Sequence, residues 1–221
     1  MIENSNIQNL DEKIMIARKI LDKVKNGNVI GFGSGTTSYL AAEAIGKMVN
    51  EENLNIIAIP TSNEIKEVCK KWQIKIAELN EYKIDWAFDG ADEVDLHGNL
   101  LKGMGAAMFK EKLNFLNSSK VYILVDKSKF VKKIGEKHPI PVECYPSAIE
   151  YVKERLMKLG AKSCTIREQN DKLVYTDSGN LIIDTWFDAD KINKELENDI
   201  KLISGVIESG LFIEYKNVEI L

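Results

Sequence analysis

Short apolar runs alternate with helical patterns through the first part of the chain, and this alternation most constrains the fold. Residues 28–32, 54–59 and 84–88 are apolar runs too short for helices, whereas residues 38–48 and 63–72 repeat apolar side chains at helical spacing. Parallel strands need a crossover connection, which a helix supplies. The repeated strand–helix units therefore predict an α/β fold with a parallel, Rossmann-like sheet flanked by helices.

Two further helices and one strand complete this predicted first domain. A helix is expected over residues 14–24, where Asn26 and Gly27 form a typical stop signal, and another over residues 104–116. Residues 121–125 (VYILV) are a continuous β-branched and aromatic run. Such a run is typical of a strand covered on both faces.

The pattern changes after Pro139 and predicts a second, smaller α+β domain. Turn signals separate short strand-like runs here, which favours antiparallel hairpins packed against helices. The expected strands and helices cover residues 141–144, 147–159, 163–167, 172–176, 181–184 and 189–198.

The last strand-like residues, 206–207 and 211–213, are expected to return to the first sheet. The predicted division is therefore residues 1–130 plus 206–221 for the α/β domain and 131–205 for the small α+β domain.

Charge and composition exclude several classes of protein. Lysine and arginine number 30 against 34 acidic residues, and no segment gathers a basic stripe, so nucleic acid is not expected as a partner. The N-terminus is polar and acidic, and no apolar run approaches the ~20 residues that span a bilayer. Neither a signal peptide nor a membrane anchor is expected.

The cysteines and histidines are too few and too dispersed for a structural metal site. Cys69, Cys144 and Cys164 form no CxxC pair, which favours a reducing, cytoplasmic location. His97 and His138 are the only histidines, which excludes a histidine-rich metal centre. No metal and no cofactor are expected, so carboxylates and lysines are the candidate catalytic groups.

A glycine-rich loop at residues 31–37 (GFGSGTT) joins a predicted strand to a predicted helix. Unpaired N–H groups and the helix dipole favour an anion at this place, and phosphate is the natural ligand. No lysine follows the last glycine as in a Walker loop, and the third glycine of the dinucleotide fingerprint is missing. The alternative is a tight glycine turn without a ligand.

The acidic segment at residues 84–95 (IDWAFDGADEVD) delivers several carboxylates at the end of an apolar strand. Ligands of parallel sheets bind at this edge, which makes Asp89 and Asp92 candidate site residues. A solvated acidic loop is the alternative. A calcium loop is disfavoured because the spacing does not match an EF-hand.

Two lysine-containing segments follow. Residues 101–112 (LKGMGAAMFKEK) combine a glycine loop with a helix that carries Glu111 among lysines, and residues 125–129 (VDKSK) place lysines after the VYILV strand. Glu–Lys pairs that merely solubilise a helix are the alternative for the first segment.

Taken together, GFGSGTT, DGADEVD, KGMGAAMFKEK and DKSK, in this order and spacing, resemble the A type of ribose-5-phosphate isomerase. The similarity covers nearly the whole chain. It extends to residues 139–143 (PIPVE), 159–160, 176–180 and 205–212.

The resemblance implies the catalytic roles. Glu111 is the general base, moving a proton between C1 and C2 of the opened sugar through a cis-enediolate. Asp89 assists opening of the furanose ring, while Asp92 and Lys102 hydrogen-bond the sugar oxygens and Lys102 offsets the enediolate charge. A positioned base and a fixed positive charge are what such a proton transfer requires.

The resemblance also implies the substrate and phosphate contacts, and a homo-oligomer, either a dimer or a tetramer. It places the reaction, which interconverts ribose 5-phosphate and ribulose 5-phosphate, in the non-oxidative pentose phosphate pathway. The implied contacts are Lys13, Ser34, Gly35, Thr36, Thr37, Asp89, Gly90, Ala91, Asp92, Lys102, Gly103, Met104, Gly105 and Lys129.

Two positions depart from the family pattern. Met104 stands where the family usually has the middle glycine of KGGG, and Ile65 stands where the family often has a hydroxyl residue. The Met104 side chain is expected to turn away from the substrate so that its backbone N–H can still bind. Neither change removes a proposed catalytic group.

Other functions are compatible with this sheet architecture. An amino-sugar-phosphate deaminase or a coenzyme A transferase shares it, and fold alone does not separate these chemistries. A deaminase would be expected to use a histidine near the acids, but His97 lies in a turn-like segment and is expected at the surface. A sugar-phosphate sensor without turnover is a non-enzymatic alternative, which the presence of Glu111 and Asp89 disfavours.

Overall fold

The computed structural model describes residues 9–221 and divides the chain into two compact units. The first contains the chain up to Gly90 together with Lys110–Ser128 and Lys216–Leu221, and the second contains Ala91–Phe109 and Lys129–Tyr215. The helices are α1 (Leu10–Arg18), α2 (Thr36–Glu51), α3 (Asn63–Lys71), α4 (Met108–Asn117), α5 (Ile149–Lys158) and α6 (Lys194–Lys201). The strands are β1 (Val29–Phe32), β2 (Ile57–Pro60), β3 (Lys75–Ile76), β4 (Trp86–Asp89), β5 (Glu93–Val94), β6 (Leu100–Leu101), β7 (Val121–Ile123), β8 (Ile140–Cys144), β9 (Ser163–Ile166), β10 (Glu168–Gln169), β11 (Lys172–Leu173), β12 (Leu181–Trp186), β13 (Val206–Ser209), β14 (Leu211–Phe212) and β15 (Val218–Ile220).

The first unit is built on a parallel six-stranded sheet in the order β15-β7-β4-β1-β2-β3. Its central strands are apolar and buried because helices pack on the sheet. Phe32 of β1 and Phe88 of β4 meet edge to face, with ring centroids 4.9 Å apart. Small residues of α2, Ala41 and Ala42, are fully buried in the same core. The predicted parallel α/β architecture is confirmed.

Two predicted helices in the first part of the chain are shorter than expected. The first ends at Arg18, and the chain continues as a 3-10 turn at Leu21–Lys23 that leaves Ile20 and Val24 buried. The helix predicted from residue 104 begins only at Met108. Ala106 before it has a φ of 60°, a left-handed conformation that an α-helix cannot contain.

The second unit contains a four-stranded antiparallel sheet in the order β13-β8-β12-β9. Helices α5 and α6 supply buried Val152, Leu156 and Ile200 to a core shared with Val142 and Ile183 of this sheet. A three-stranded sheet, β14-β6-β5, and the hairpin β10-β11 complete the unit. The predicted small α+β architecture is confirmed.

The expected return of residues 206–213 to the first sheet is wrong. Strand β13 pairs antiparallel with β8, and β14 pairs with β6. These strands stay in the second unit because Val206 and Leu211 pack against its core. The strand that rejoins the parallel sheet is β15, which pairs with β7.

The compact units also differ from the predicted domain boundaries, by two residues at 129–130 and in two longer segments. Residues 91–109 and 206–215 belong to the second unit, whereas the prediction placed them in the first domain. Pairing of β14 with β6 and β6 with β5 explains both differences, because it ties the two segments together. Within residues 9–221, no helix is long and apolar enough to cross a membrane.

The second unit's core gives a test of this packing. Replacing Val152, which is 0% exposed, with alanine should lower the free energy of unfolding by about 2–3 kcal/mol, because buried methyl groups are lost and a cavity remains. Chemical denaturation followed by circular dichroism measures this loss. Met157→Ala on the same helix is the matched control, since Met157 is 48% exposed and its truncation should change stability by no more than about 0.5 kcal/mol. Equal effects of the two substitutions would contradict the packing described.

Candidate active site

Asp89, the last residue of β4, binds the backbone of the glycine-rich loop that follows β1. Its Oδ1 accepts hydrogen bonds from the backbone N–H of Ser34 (3.1 Å) and of Gly90 (2.8 Å), and the Ser38 hydroxyl donates to it across 3.5 Å. Asp89 is only 2% exposed. Because β1 and β4 are adjacent and parallel, both segments leave the sheet at the same edge.

Gly33 allows this close approach of the loop to the acid. A Cβ atom at Gly33 would lie 2.3 Å from Cγ of Asp89 and 2.5 Å from the carbonyl oxygen of Phe88. Any side chain would therefore push the loop away from Asp89. This glycine is required by packing between two strand ends.

The hydroxyl of Ser34 is paired with Thr61, which follows β2. Their oxygens are 2.5 Å apart, and Thr61 Oγ1 also lies 3.2 Å from the Phe32 carbonyl, to which it donates. Both residues are buried. The role of Thr61 in orienting the loop was not predicted, although its place at the carboxyl end of β2 is a signal that could have revealed it.

The loop leads directly into α2, whose first residue is Thr36. Gly35 precedes it with a φ of +86° and is exposed, whereas Thr36 is half-buried and Thr37 is buried. The first-turn N–H groups of a helix lack carbonyl partners within it, and the dipole adds partial positive charge. Ser34, Gly35, Thr36 and Thr37 thus form a helix start suited to an anion such as phosphate.

Glu111 lies in the first turn of α4 and is 4% exposed. Its neighbour Lys112 is also 4% exposed, so the alternative of a merely solubilising pair does not hold for these two residues. One turn later, the Asn114 amide donates a 3.0 Å hydrogen bond to the carbonyl oxygen of Ile59. That bond fixes α4 beside β2, within the unit that also contains Asp89 and the Ser34–Gly35 loop.

Lys13 of α1 faces a buried carboxylate in the same unit. Its Nζ is 4.0 Å from Oδ2 of Asp126, a residue that is 2% exposed. Asp126 also accepts hydrogen bonds from the backbone N–H and the hydroxyl of Ser128. Asp126 was not among the predicted site residues, although the Asp-x-Ser turn that it forms is readable in the DKSK motif.

In the second unit, Asp92 and Lys102 flank the glycine loop before α4. The Asp92 carboxylate accepts a 3.0 Å hydrogen bond from the Met104 N–H, and the Asp92 N–H donates to the Leu101 carbonyl across 2.8 Å. Lys102 is 2% exposed, and its Nζ lies 5.8 Å from the ring centroid of Phe212. Asp92 is thus bound to the glycine loop that begins directly after Lys102.

For the remaining predicted substrate contacts, the structure gives the exposure of each residue and its place in the chain. Gly90 and Ala91 are half-buried, Gly103 is buried and Gly105 is exposed. Lys129 ends a 3-10 turn at Lys127–Lys129 and is half-buried.

The other acids of the DGADEVD motif have structural partners. Glu93 is 0% exposed and accepts hydrogen bonds from the backbone N–H groups of Gly135, Lys137 and His138, and its Oε1 lies 3.1 Å from Nδ1 of the His138 ring. Asp95 accepts from the backbone N–H of His97 across 2.8 Å and closes a turn. His97 is exposed, as predicted.

The structure explains one of the two departures from the family pattern. Ile65 is fully buried in the first unit's core, where an apolar side chain fits. Met104 keeps its backbone hydrogen bond to Asp92 while its sulfur lies 3.7 Å from Nη2 of Arg167. Among the described residues, no group of three or more His, Cys, Asp or Glu could hold a metal ion.

Comparison with known proteins agrees with this geometry. The sequence profile of ribose 5-phosphate isomerase A (phosphoriboisomerase A) matches residues 57–221. Ribose-5-phosphate isomerase A of Methanocaldococcus jannaschii is 40% identical over 214 residues, 96% of this chain and 94% of that protein.

Solved structures give the same result. That of ribose 5-phosphate isomerase A from Methanocaldococcus jannaschii superposes with a TM-score of 0.91 at 41% identity, covering 96% of this chain and 95% of the other. A D-ribose-5-phosphate isomerase in complex with phospho-erythronic acid superposes with a TM-score of 0.90 at 33% identity, covering 97% and 95%. The chain belongs to the ribose 5-phosphate isomerase A family.

Proposed function

We propose that this protein is an aldose–ketose isomerase that interconverts ribose 5-phosphate and ribulose 5-phosphate. The similarity to ribose-5-phosphate isomerase A over 96% of the chain is the observation that carries the proposal. The buried Glu111 and the Asp89-bound glycine loop supply groups that this reaction needs. The reaction belongs to the non-oxidative pentose phosphate pathway.

The substrate phosphate is proposed to bind at the start of α2. Backbone N–H groups and hydroxyls of Ser34 to Thr37 suit its oxygens, and Gly35 leaves the approach open. Lys13 and Lys129 are the proposed cationic contacts. A monophosphate bound in this way is oriented without a metal ion.

The proposed chemistry is a proton transfer at two adjacent carbons. Asp89 assists opening of the furanose ring, which frees the C1 aldehyde. The Glu111 carboxylate then removes the proton from C2, so that C1 and C2 become a cis-enediolate, and returns a proton to C1. Proton loss from the C2 hydroxyl and gain at the C1 oxygen complete the ketose.

Asp92 and Lys102 are proposed to bind the sugar oxygens during this transfer. Lys102 is 2% exposed, and at such a buried site its charge stabilises a developing oxyanion more than it would in water. Backbone groups of Gly90, Ala91, Gly103, Met104 and Gly105 are the further proposed contacts.

Assembly and location are also proposals. We expect a homo-oligomer, either a dimer or a tetramer, in the cytoplasm. The deaminase alternative gains no support, because His97 is exposed in a turn that Asp95 closes.

Isomerisation should not require a metal. Purified protein mixed with ribose 5-phosphate and EDTA should form ribulose 5-phosphate at the rate seen without chelator, because the proposed mechanism uses only side chains and backbone dipoles. Ketose absorbance measures the rate. A rate that EDTA abolishes and added divalent cation restores would contradict this mechanism.

Glu111→Gln should lower kcat by roughly 10²–10⁴-fold, because the amide cannot accept the C2 proton. The variant should still fold and bind ribose 5-phosphate, as measured by circular dichroism and calorimetry. Glu52→Gln, an exposed position in the same unit, removes the same charge and should leave kcat unchanged. An unchanged rate in Glu111→Gln would remove Glu111 from the mechanism.

A further inference from the structure

Arg167 is a buried arginine that connects a strand end of the second unit to the substrate loop before α4. It directly follows β9 and is 9% exposed. Its Nε donates to Oδ2 of Asp184 across 2.9 Å, and its Nη2 donates to Oδ1 of the same carboxylate. This two-point contact fixes the plane of the guanidinium group.

The third nitrogen of Arg167 binds the loop itself. Nη1 donates to the carbonyl oxygen of Gly103 across 2.8 Å and to that of Met104 across 3.1 Å. A single side chain therefore holds two consecutive peptide groups in the segment that carries proposed substrate contacts.

These two bonds, together with a 3.1 Å hydrogen bond from the Ala106 N–H to the Gly103 carbonyl, fix where the loop's N–H groups point. In a trans peptide the carbonyl and the following N–H face opposite directions. With the carbonyls of Gly103 and Met104 turned toward Arg167, the N–H groups of Met104 and Gly105 point away from it. The Met104 N–H accordingly reaches Asp92, at 3.0 Å.

The loop needs this support because its own conformation is unusual. Gly103 has a φ of +100° and Ala106 a φ of 60°, and no regular element covers the residues between β6 and α4. A non-glycine residue in the left-handed region is costly unless its surroundings hold it. At the start of the loop, the Lys102 N–H donates to the Gly210 carbonyl across 2.9 Å. Arg167 is the side chain that binds the carbonyls of the next two residues, Gly103 and Met104.

We propose that Arg167, oriented by Asp184, is a positioning residue for the isomerase reaction. It fixes the Gly103 and Met104 peptides, and through them the direction of the Met104 and Gly105 N–H groups and the setting of the Asp92 carboxylate. It does so without touching the substrate. This inference rests on the proposed function, because Asp92, Met104 and Gly105 matter as contacts to the sugar phosphate.

Arg167→Lys tests the proposal, because lysine keeps the charge but lacks the planar fork that binds Asp184 and two carbonyls together. We expect kcat/KM for ribose 5-phosphate to fall roughly 10- to 100-fold, with the larger change in kcat. The matched control is Val152→Ala, which destabilises the same unit but removes no hydrogen-bonding group, so the loop's hydrogen bonds stay available. Both variants are assayed at a temperature at which circular dichroism shows them folded.

In this experiment Val152→Ala should keep kcat within about 2-fold of the unmodified protein, since a folded core variant leaves the loop geometry intact. An Arg167→Lys enzyme with kcat equally close to the unmodified protein would overturn the proposal. So would an equal loss of kcat in both variants, because that loss would follow stability alone.

Asp184→Asn provides a second test that keeps the arginine, and it decides the matter if Arg167→Lys does not fold. The amide accepts only one of the two guanidinium bonds, so kcat should fall at least about 3-fold. Unchanged kcat in this variant would overturn the proposal. Inactivity of the unmodified protein on ribose 5-phosphate would instead overturn the proposed function, so the two failures are distinguishable.

Discussion

The chemistry of the first unit depends on the contact between the Asp89 carboxylate and the backbone of the glycine loop. Two N–H groups, from Ser34 and Gly90, bind the same oxygen, and Gly33 provides the space for them. Because a buried carboxylate is costly unless hydrogen-bonded, the loop and the acid stabilise each other. The helix start that suits phosphate is therefore positioned by an acid from the neighbouring strand.

In the second unit, the loop before α4 is held in place by hydrogen bonds from other segments of that unit. The segment from Lys102 to Gly105 has no regular hydrogen-bond ladder of its own. Its peptide groups are bound by partners far away in sequence, among them Gly210 and Arg167. Buried polar backbone must find such partners, and here the partners also set the direction of groups proposed to meet the substrate.

Acids that are adjacent in sequence have separate tasks in the DGADEVD motif. Glu93, fully buried, satisfies three backbone N–H groups and contacts His138, and Asp95 closes a turn. Asp89 and Asp92 each bind a backbone N–H of a glycine loop, the first from Ser34 and the second from Met104. All four residues carry the same charge, so charge does not distinguish their roles. The roles differ because each carboxylate meets different hydrogen-bond partners after folding.

Local pattern by itself determined the parallel sheet, the presence of its helices, the four motif segments and the residues with candidate chemistry, because hydrophobic period and glycine placement are properties of short segments. Tertiary structure decided what depends on distant partners. Strands β13 and β14 joined the second unit because their apolar residues pack into its core, and Ala106 in a left-handed conformation delayed the start of α4. The contacts of Thr61 with Ser34, of Asp126 with Lys13 and of Arg167 with the Gly103 and Met104 carbonyls likewise join residues that only folding brings together. A sequence shows which groups can bind, whereas the folded chain selects which of them meet.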